Sequence, residues 1–388
     1  MVDNKHNLVQ DAIDVAIGER GEIGVQVAAY LDGQLVIDQW GGLADETTGQ
    51  EVDGDTLFPV FSNIKAVTAT ALHIQAERGL VDYYQPVAKY WPEFGKYGKD
   101  KGTVFDALTH RIGVPLMPVG VTPELMCDWD WMVGQLAEMH PLFEPGTRSG
   151  YMAYTFGWVV GEIVRRTDQK SRPFGQFIQD EICQPLGITD LWAGIPPQVE
   201  PRVAKLTNVP PLPPGAPGLP PDSLRFRATP PEVGTTQEVF GRSDVRQACI
   251  PGAQGIMTAR SQARFYAMLA NGGELDGMRL LSEDRVRTFH IPRPPSDYDP
   301  VHGRPHHGTI GGFHFAGSPG MGAMGNNPLA FGHNGAGGSI GWADPQHNLA
   351  VAIHHNRMVA HGPPAESPLT PIGVAVRQAL GIPEYSAG

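Results

Sequence analysis

The spacing of apolar positions predicts strands toward both ends of the chain and mainly helices between them. Apolar residues from Leu8 to Ile17 recur with helical spacing. Gly24 to Tyr30 and Gln34 to Trp40 read as two strands, joined by Leu31-Asp32-Gly33, whose Asp-Gly pair is a hairpin signal. An apolar stretch from Ala66 to Ala76 predicts a helix that ends near Gly79. From Val81 to Cys249 the patterns are mainly helical with irregular connections. There, Glu144-Pro145-Gly146-Thr147 is a turn leading toward a helix that contains Thr155 to Arg166. Val209 to Pro231 is crowded with proline and glycine and lacks an apolar period, so it predicts a long loop or lid and not a helix. Ser261 to Ala270 predicts another helix, closed by Asn271-Gly272-Gly273. Strands return at Gly311 to Ala316, Gly332 to Trp342 and Ala350 to His355, and Thr370 to Leu380 closes the chain as a helix.

Strands on either side of a helical middle imply an α+β fold, with one antiparallel sheet flanked by helices and an inserted, mainly helical region. The expected division joins residues 1–80 with 250–388 as the sheet domain. Residues 81–249 form the inserted domain, including the proline-rich loop 209–231.

Composition narrows the function. The chain has 388 residues, 41% of them hydrophobic and 18% charged, which suits a large globular protein and argues against disorder. A net charge of −12 without a basic block disfavours nucleic acid and anionic membranes as partners. No apolar run reaches membrane-spanning length. The polar start Met1-Val2-Asp3-Asn4-Lys5-His6 lacks the apolar region of a secretory signal, so a cytoplasmic location is expected. Cys127, Cys183 and Cys249 are widely spaced and odd in number, which suggests neither a disulfide framework nor a zinc site.

Candidate chemistry centres on Ser62 and Lys65. Their three-residue spacing brings both side chains onto one helix face, so the amine can reach the hydroxyl. A serine needs a base to become a nucleophile, and a lysine whose pKa is lowered by burial can supply one. The same spacing also fits an N-cap serine beside a solvated lysine. Tyr151, after Gly150 and before a helix, is placed to relay a proton, since an ammonium stabilises phenolate; Tyr154 competes for that role. The glycines of Gly332-His333-Asn334-Gly335-Ala336-Gly337-Gly338 suggest close approach of a ligand or another backbone. Ala336 could then offer an oxyanion N–H, with His333 and Gly335 at the substrate. Gly337-Gly338-Ser339-Ile340-Gly341 matches the nucleophile elbow of α/β-hydrolases but lacks the helix that motif requires, which disfavours Ser339. His302, His306, His307 and His314 cluster, yet they lack metal-ligand spacing, so no metal is expected. His110 reads as a structural histidine. Trp129, Trp131, Phe226 and Phe240 suggest apolar walls for the substrate, or ordinary packing.

Taken in order, these segments resemble the serine β-lactamase and penicillin-binding-protein superfamily. The resemblance is to its class C β-lactamase-like branch, which includes the family VIII carboxylesterases. It rests on Ser62-Asn63-Ile64-Lys65, Leu108-Thr109-His110, Gly150-Tyr151 and His333-Asn334-Gly335, and it covers roughly Leu57 to Met358. It implies a β-lactamase/transpeptidase-like fold and no cofactor. Two motifs depart from true lactamases. Tyr-x-Asn is Tyr151-Met152-Ala153 here, and Lys-Thr-Gly is His333-Asn334-Gly335, so the cation for a β-lactam carboxylate is missing.

The expected function is therefore a serine hydrolase of small-molecule esters. Ser62 is the nucleophile, Lys65 and Tyr151 are the base, and the N–H groups of Ser62 and Ala336 form the oxyanion hole. The alternatives are an amide-bond enzyme or acyltransferase of the same fold, and a non-catalytic binding protein.

Overall fold

The computed structural model describes residues 2–207, 218–294, 298–303, 305, 308–318, 320–358 and 367–385, with side chains from residue 7 onward. Residues 208–217, which include 209–217 of the expected proline-rich loop, and His306 and His307 lie outside the described residues.

The chain opens with helix α1 (Val2–Gly18) and the hairpin β1 (Gly24–Leu31) and β2 (Gln34–Asp45), extended by a short β3 (Gln50–Glu51). Helix α2 (Ile64–Glu77) follows, and among many short helical turns after it stand the longer α3 (Thr155–Thr167), the short α4 (Leu224–Ala228) and the longer α5 (Ala259–Ala270). The strands β4 (His314–Phe315), β5 (Phe331–Asn334), β6 (Ile340–Asp344) and β7 (Leu349–His355) lead to α6 (Thr370–Leu380). The sheet order is β3-β2-β1-β7-β6-β5-β4. Antiparallel pairing of β1 with β7, from Val25 opposite His355 to Leu31 opposite Leu349, joins the two strand-rich segments as the sequence predicts.

Both faces of this sheet are covered, and the period of two sorts its side chains. Val25, Val27, Ile340, Trp342, Val351 and Ile353 pack with Val9 and Ile13 of α1 and Ile372 and Val376 of α6. Small residues, Ala28, Ala350 and Ala352, face the other way and join the core that contains Ala263 and Tyr266 of α5. Their size lets α5 lie close to the sheet.

Three expectations change. The single strand expected over Gly332–Trp342 is a hairpin. Its glycines form the turn, with Gly337 at φ 87° and Gly338 at φ 133°, conformations open to residues without a Cβ. Gly335 N–H closes that turn on Ser339 O at 2.8 Å. The strand expected over Gly311–Ala316 is only two residues long, because Gly312 turns the chain at φ 82°. The segment expected to lack helix contains α4. No proline falls between Asp222 and Thr229, and Ser223 caps the helix by accepting from Phe226 N–H at 3.3 Å.

Helix α2 is buried from Ile64 to Gln75, which explains its apolar character on all sides. Just before it, Asn63 ties three parts of the fold together. Its Nδ2 donates to Val60 O at 2.9 Å and to Ser339 O at 2.8 Å, while its Oδ1 accepts from Gln262 Nε2 at 2.8 Å. Gln262 Oε1 in turn meets His354 Nε2 at 2.6 Å. Burial lowers the His354 pKa to about 3, so the ring is neutral and its Nε2–H is the donor. Every polar atom along the row from Gln262 through Asn63 to the two carbonyls thus has a partner of the right kind.

Asn63→Ala would leave Val60 O, Ser339 O and Gln262 Nε2 buried without that partner. The expected loss is about 3 kcal/mol in urea unfolding. Gln247→Ala, which removes an exposed bond to Ser243, should change stability by less than about 0.5 kcal/mol. Equal effects of the two substitutions would refute the structural role given to Asn63.

Candidate active site

The turn Phe61–Asn63 places Ser62 at the entrance to α2. Phe61 has φ 48°, a left-handed conformation that costs a non-glycine residue about 1 kcal/mol. Its ring is buried edge-on to Phe240, with 5.2 Å between centroids, and this packing holds the strained turn. No side-chain cap bond is made by Ser62 or Asn63 to α2, so Ser62 is not an N-cap serine.

Lys65 lies beneath Ser62 and is fully buried. Its Nζ stands 2.9 Å from Ser62 Oγ and 2.7 Å from Ala153 O, and it also bonds Gly252 O. No carboxylate takes part in any of these contacts. Burial holds the amine well below the ordinary lysine pKa. An ammonium carries three N–H bonds, whereas a neutral amine carries two and a lone pair. Two carbonyls take two N–H bonds, and the remaining contact is the Ser62 hydroxyl.

Tyr151 completes the cluster. It is hydrogen-bonded to Ser62, and Lys65 Nζ lies 5.0 Å from its ring centroid. Burial pushes its phenol up to about 12, against the smaller opposing effect of the Ser62 bond. At neutral pH the resting tyrosine is therefore protonated, and the group with the lowered affinity for a proton is Lys65. Tyr154 is held elsewhere, its hydroxyl donating to Val233 O at 2.6 Å.

The support of Tyr151 comes from residues that the sequence reading passed over. Asp299 Oδ2 accepts from Tyr151 N–H at 2.8 Å, and its Oδ1 accepts from Val301 N–H at 2.9 Å and His302 N–H at 3.1 Å. This turn lays the His302 ring on the Tyr151 ring, 4.6 Å between centroids and 29° between planes. The only advance signal was Asp299-Pro300, a turn-forming pair. On the other side His110 accepts from Met152 N–H at 3.1 Å through Nδ1, a structural task as expected.

Ser62, Tyr151, Gly335 and Ala336 all line one cleft of about 320 Å³. Ala336 opens the turn Ala336–Gly338, and Ser62 lies in the turn Phe61–Asn63. At such positions the first N–H groups have no partner within the turn. The two turns press together at Gly335, where a Cβ would stand 2.0 Å from Val60 O, so only glycine fits. His333 differs from expectation. Alternation along β5 puts Asn334 on the cleft, while His333 is 1% exposed and packs its ring 4.1 Å from that of His314. Burial, with His314 and Lys65 nearby, holds it well below the ordinary histidine pKa.

Ser339 is buried, and its Oγ accepts from His355 N–H at 3.1 Å, which is a sheet-fastening role. None of the four aromatic residues expected as substrate walls lines the cleft. Phe240 supports Phe61 from behind, and Trp129 donates to Glu162 at 2.8 Å. Trp131 packs against the main core, and Phe226 lines a separate surface pocket beside Met117. Cys127, Cys183 and Cys249 are free thiols. No helix among the described residues is long and apolar enough to cross a membrane.

Known proteins resemble this chain in sequence and in fold. The sequence profile of the family described as Beta-lactamase matches residues 9–369. Esterase/beta-lactamase LipL of Mycobacterium tuberculosis is 36% identical over 347 residues, covering 87% of this chain and 78% of that protein. A family VIII carboxylesterase structure superposes with a TM-score of 0.86 at 30% identity, covering 97% of each chain. A penicillin-binding protein homologue from Caulobacter crescentus gives 0.84 at 32% identity, again over 97% of each. On the profile match and these relatives, the chain belongs to the Beta-lactamase family and is a serine hydrolase of that fold.

Proposed function

We propose that this enzyme cleaves carboxylic esters through an acyl-enzyme on Ser62. The observation that carries the reading is Lys65, buried without a counter-charge, with its third contact on the Ser62 hydroxyl. The Lys65 amine takes the Ser62 proton as Oγ attacks the ester carbonyl. The N–H groups of Ser62 and Ala336 receive the charge that develops on the carbonyl oxygen. The C–O bond then breaks, and the proton passes through Lys65 and Tyr151 to the departing alcohol oxygen. Water, deprotonated by the same pair, releases the acid and restores Ser62.

Ester preference follows from the wall of β5. A β-lactam carboxylate would need a cation there, and the position holds a buried, neutral His333 beside an uncharged Asn334. Each missing charge-assisted hydrogen bond is worth about 1.5–3 kcal/mol. β-Lactam hydrolysis is the second reading, because the Mycobacterium tuberculosis relative bears both activities in its name.

Four measurements test these assignments. Ser62→Ala should abolish the covalent adduct with a fluorophosphonate, seen by mass spectrometry, while Ser339→Ala should keep it; an adduct on Ser339 would overturn the nucleophile. The pH profile of kcat/KM should fall on the acid side as Lys65 gains its proton, with the midpoint of that limb well below 10.5. The lowered amine pKa sets that limb, and Tyr151, at about 12, adds no alkaline loss below pH ~10. A rate that climbs steadily toward the ordinary lysine value of 10.5 would exclude Lys65 as a depressed base. Lys65→Arg should lower kcat by about 10²–10⁴-fold at every pH. Finally, p-nitrophenyl butyrate should be turned over with a higher kcat/KM than nitrocefin, and the reverse order would favour the second reading.

A further inference from the structure

One wall of the cleft is built by α4 and the residue after it. Arg225, Ala228 and Thr229 line the cleft at positions i, i+3 and i+4, the spacing of a single helix face. That face is well anchored. Ala228 is 1% exposed and packs with Leu116 and Val301. Arg227 O accepts from Met117 N–H at 3.1 Å, and Thr229 Oγ1 donates to Arg225 O at 3.1 Å. The backbone that carries Arg225 is therefore fixed with respect to the cleft.

The charge that this face brings to the cleft is positive. Acidic residues outnumber Lys and Arg by 41 to 29, so carboxylates are plentiful. Several nearby arginines find them: Arg242 pairs with Glu124 and Asp244, Arg246 with Glu200, and Arg202 with Asp190, whereas exposed Arg227 on the same helix, which faces away from the cleft, does not. Arg225 makes no ion pair and no side-chain hydrogen bond among the described residues. It is also the single Arg, Lys, Asp or Glu among the described residues of the cleft. An unpaired guanidinium keeps its fork of N–H donors for whatever enters, and that fork matches a carboxylate. Thr229, Thr235 and Asn334 on the same cleft add neutral polar groups, whereas a cationic substrate would find no counter-charge.

We infer that the cleft selects esters bearing a free carboxylate away from the scissile bond, and that Arg225 is the residue that recognises it. The inference rests on the esterase reading above. It goes further by assigning the substrate charge to a residue outside the serine, lysine and tyrosine segments.

Two matched pairs test it. Mono-p-nitrophenyl adipate against p-nitrophenyl hexanoate places the carboxylate on the acyl side. 4-Carboxyphenyl acetate against phenyl acetate places it on the alcohol side. In at least one pair, Arg225→Gln should lower the ratio of kcat/KM, anionic over neutral, by about tenfold, the size of one charge-assisted contact. Arg225→Glu should lower it further and Arg225→Lys should keep part of it. Added salt should shrink the wild-type ratio. The pair that responds identifies the side on which the carboxylate sits. Ratios unchanged in both pairs, or equal losses on charged and neutral esters, would overturn the inference while the esterase reading stands. Failure of the wild-type protein to hydrolyse either neutral ester would instead remove the esterase reading, and this inference with it.

Discussion

A lysine amine held in a dry interior with no carboxylate beside it is the constraint on which the site is organised. Such a group cannot remain charged without large penalty, so the fold must supply acceptors for a neutral amine and nothing more. It does so with the Ala153 and Gly252 carbonyls, carried by two separate segments. These segments can converge because their backbones touch. A Cβ on Gly252 would meet Tyr154 O at 2.1 Å, and one on Gly157 would meet Gly252 N at 2.0 Å. Neither contact stabilises much alone. Together they place two carbonyls around one amine and leave its third direction to Ser62.

The reactive parts are supported from the backbone outward. Phe61 is kept in a left-handed conformation by its packing on Phe240, and Asn63 fixes the carbonyl that precedes it. Asp299 grips Tyr151 by its N–H, leaving the phenol free to meet Ser62. Strained or charged groups of this kind persist only where surrounding contacts over-determine them. Buried Asp299 illustrates the point: burial raises its pKa, yet three N–H groups and nearby Arg293 pull it back toward the ionised form.

What was legible in the sequence was local. Thr370–Leu380 has a helical period and is a helix over those residues. The Ser62 and Lys65 pairing follows from helix geometry, and the hairpin of β1 and β2 from its Asp-Gly turn. What stayed hidden depended on phase or on distance. Whether His333 or Asn334 faces the cleft is decided by where the hairpin turns, and a glycine-rich run does not disclose that. Asp299 meets Tyr151 across 148 residues, so no window of sequence contains both. Helix α4 was masked by the prolines around it, although Ser223 carried its cap signal.

The antiparallel pairing of β1 with β7 has a consequence in time. Gly24 N–H binds Asn356 Oδ1 at 2.9 Å, across 332 residues. During synthesis β1, mostly apolar and buried on seven of its eight residues in the finished fold, leaves the ribosome long before the strand that will cover its open edge. Such distant pairings form slowly, and an uncovered edge invites association with other chains. The turn that carries Ala336 lies in the same late segment, between β5 and β6. A nascent chain therefore holds Ser62 and Lys65 early but lacks the proposed second oxyanion donor and the Ser339 carbonyl that anchors Asn63. On the proposed mechanism its chemistry waits for the last strands, so an unfinished or C-terminally truncated chain carries an exposed strand and an incomplete oxyanion site.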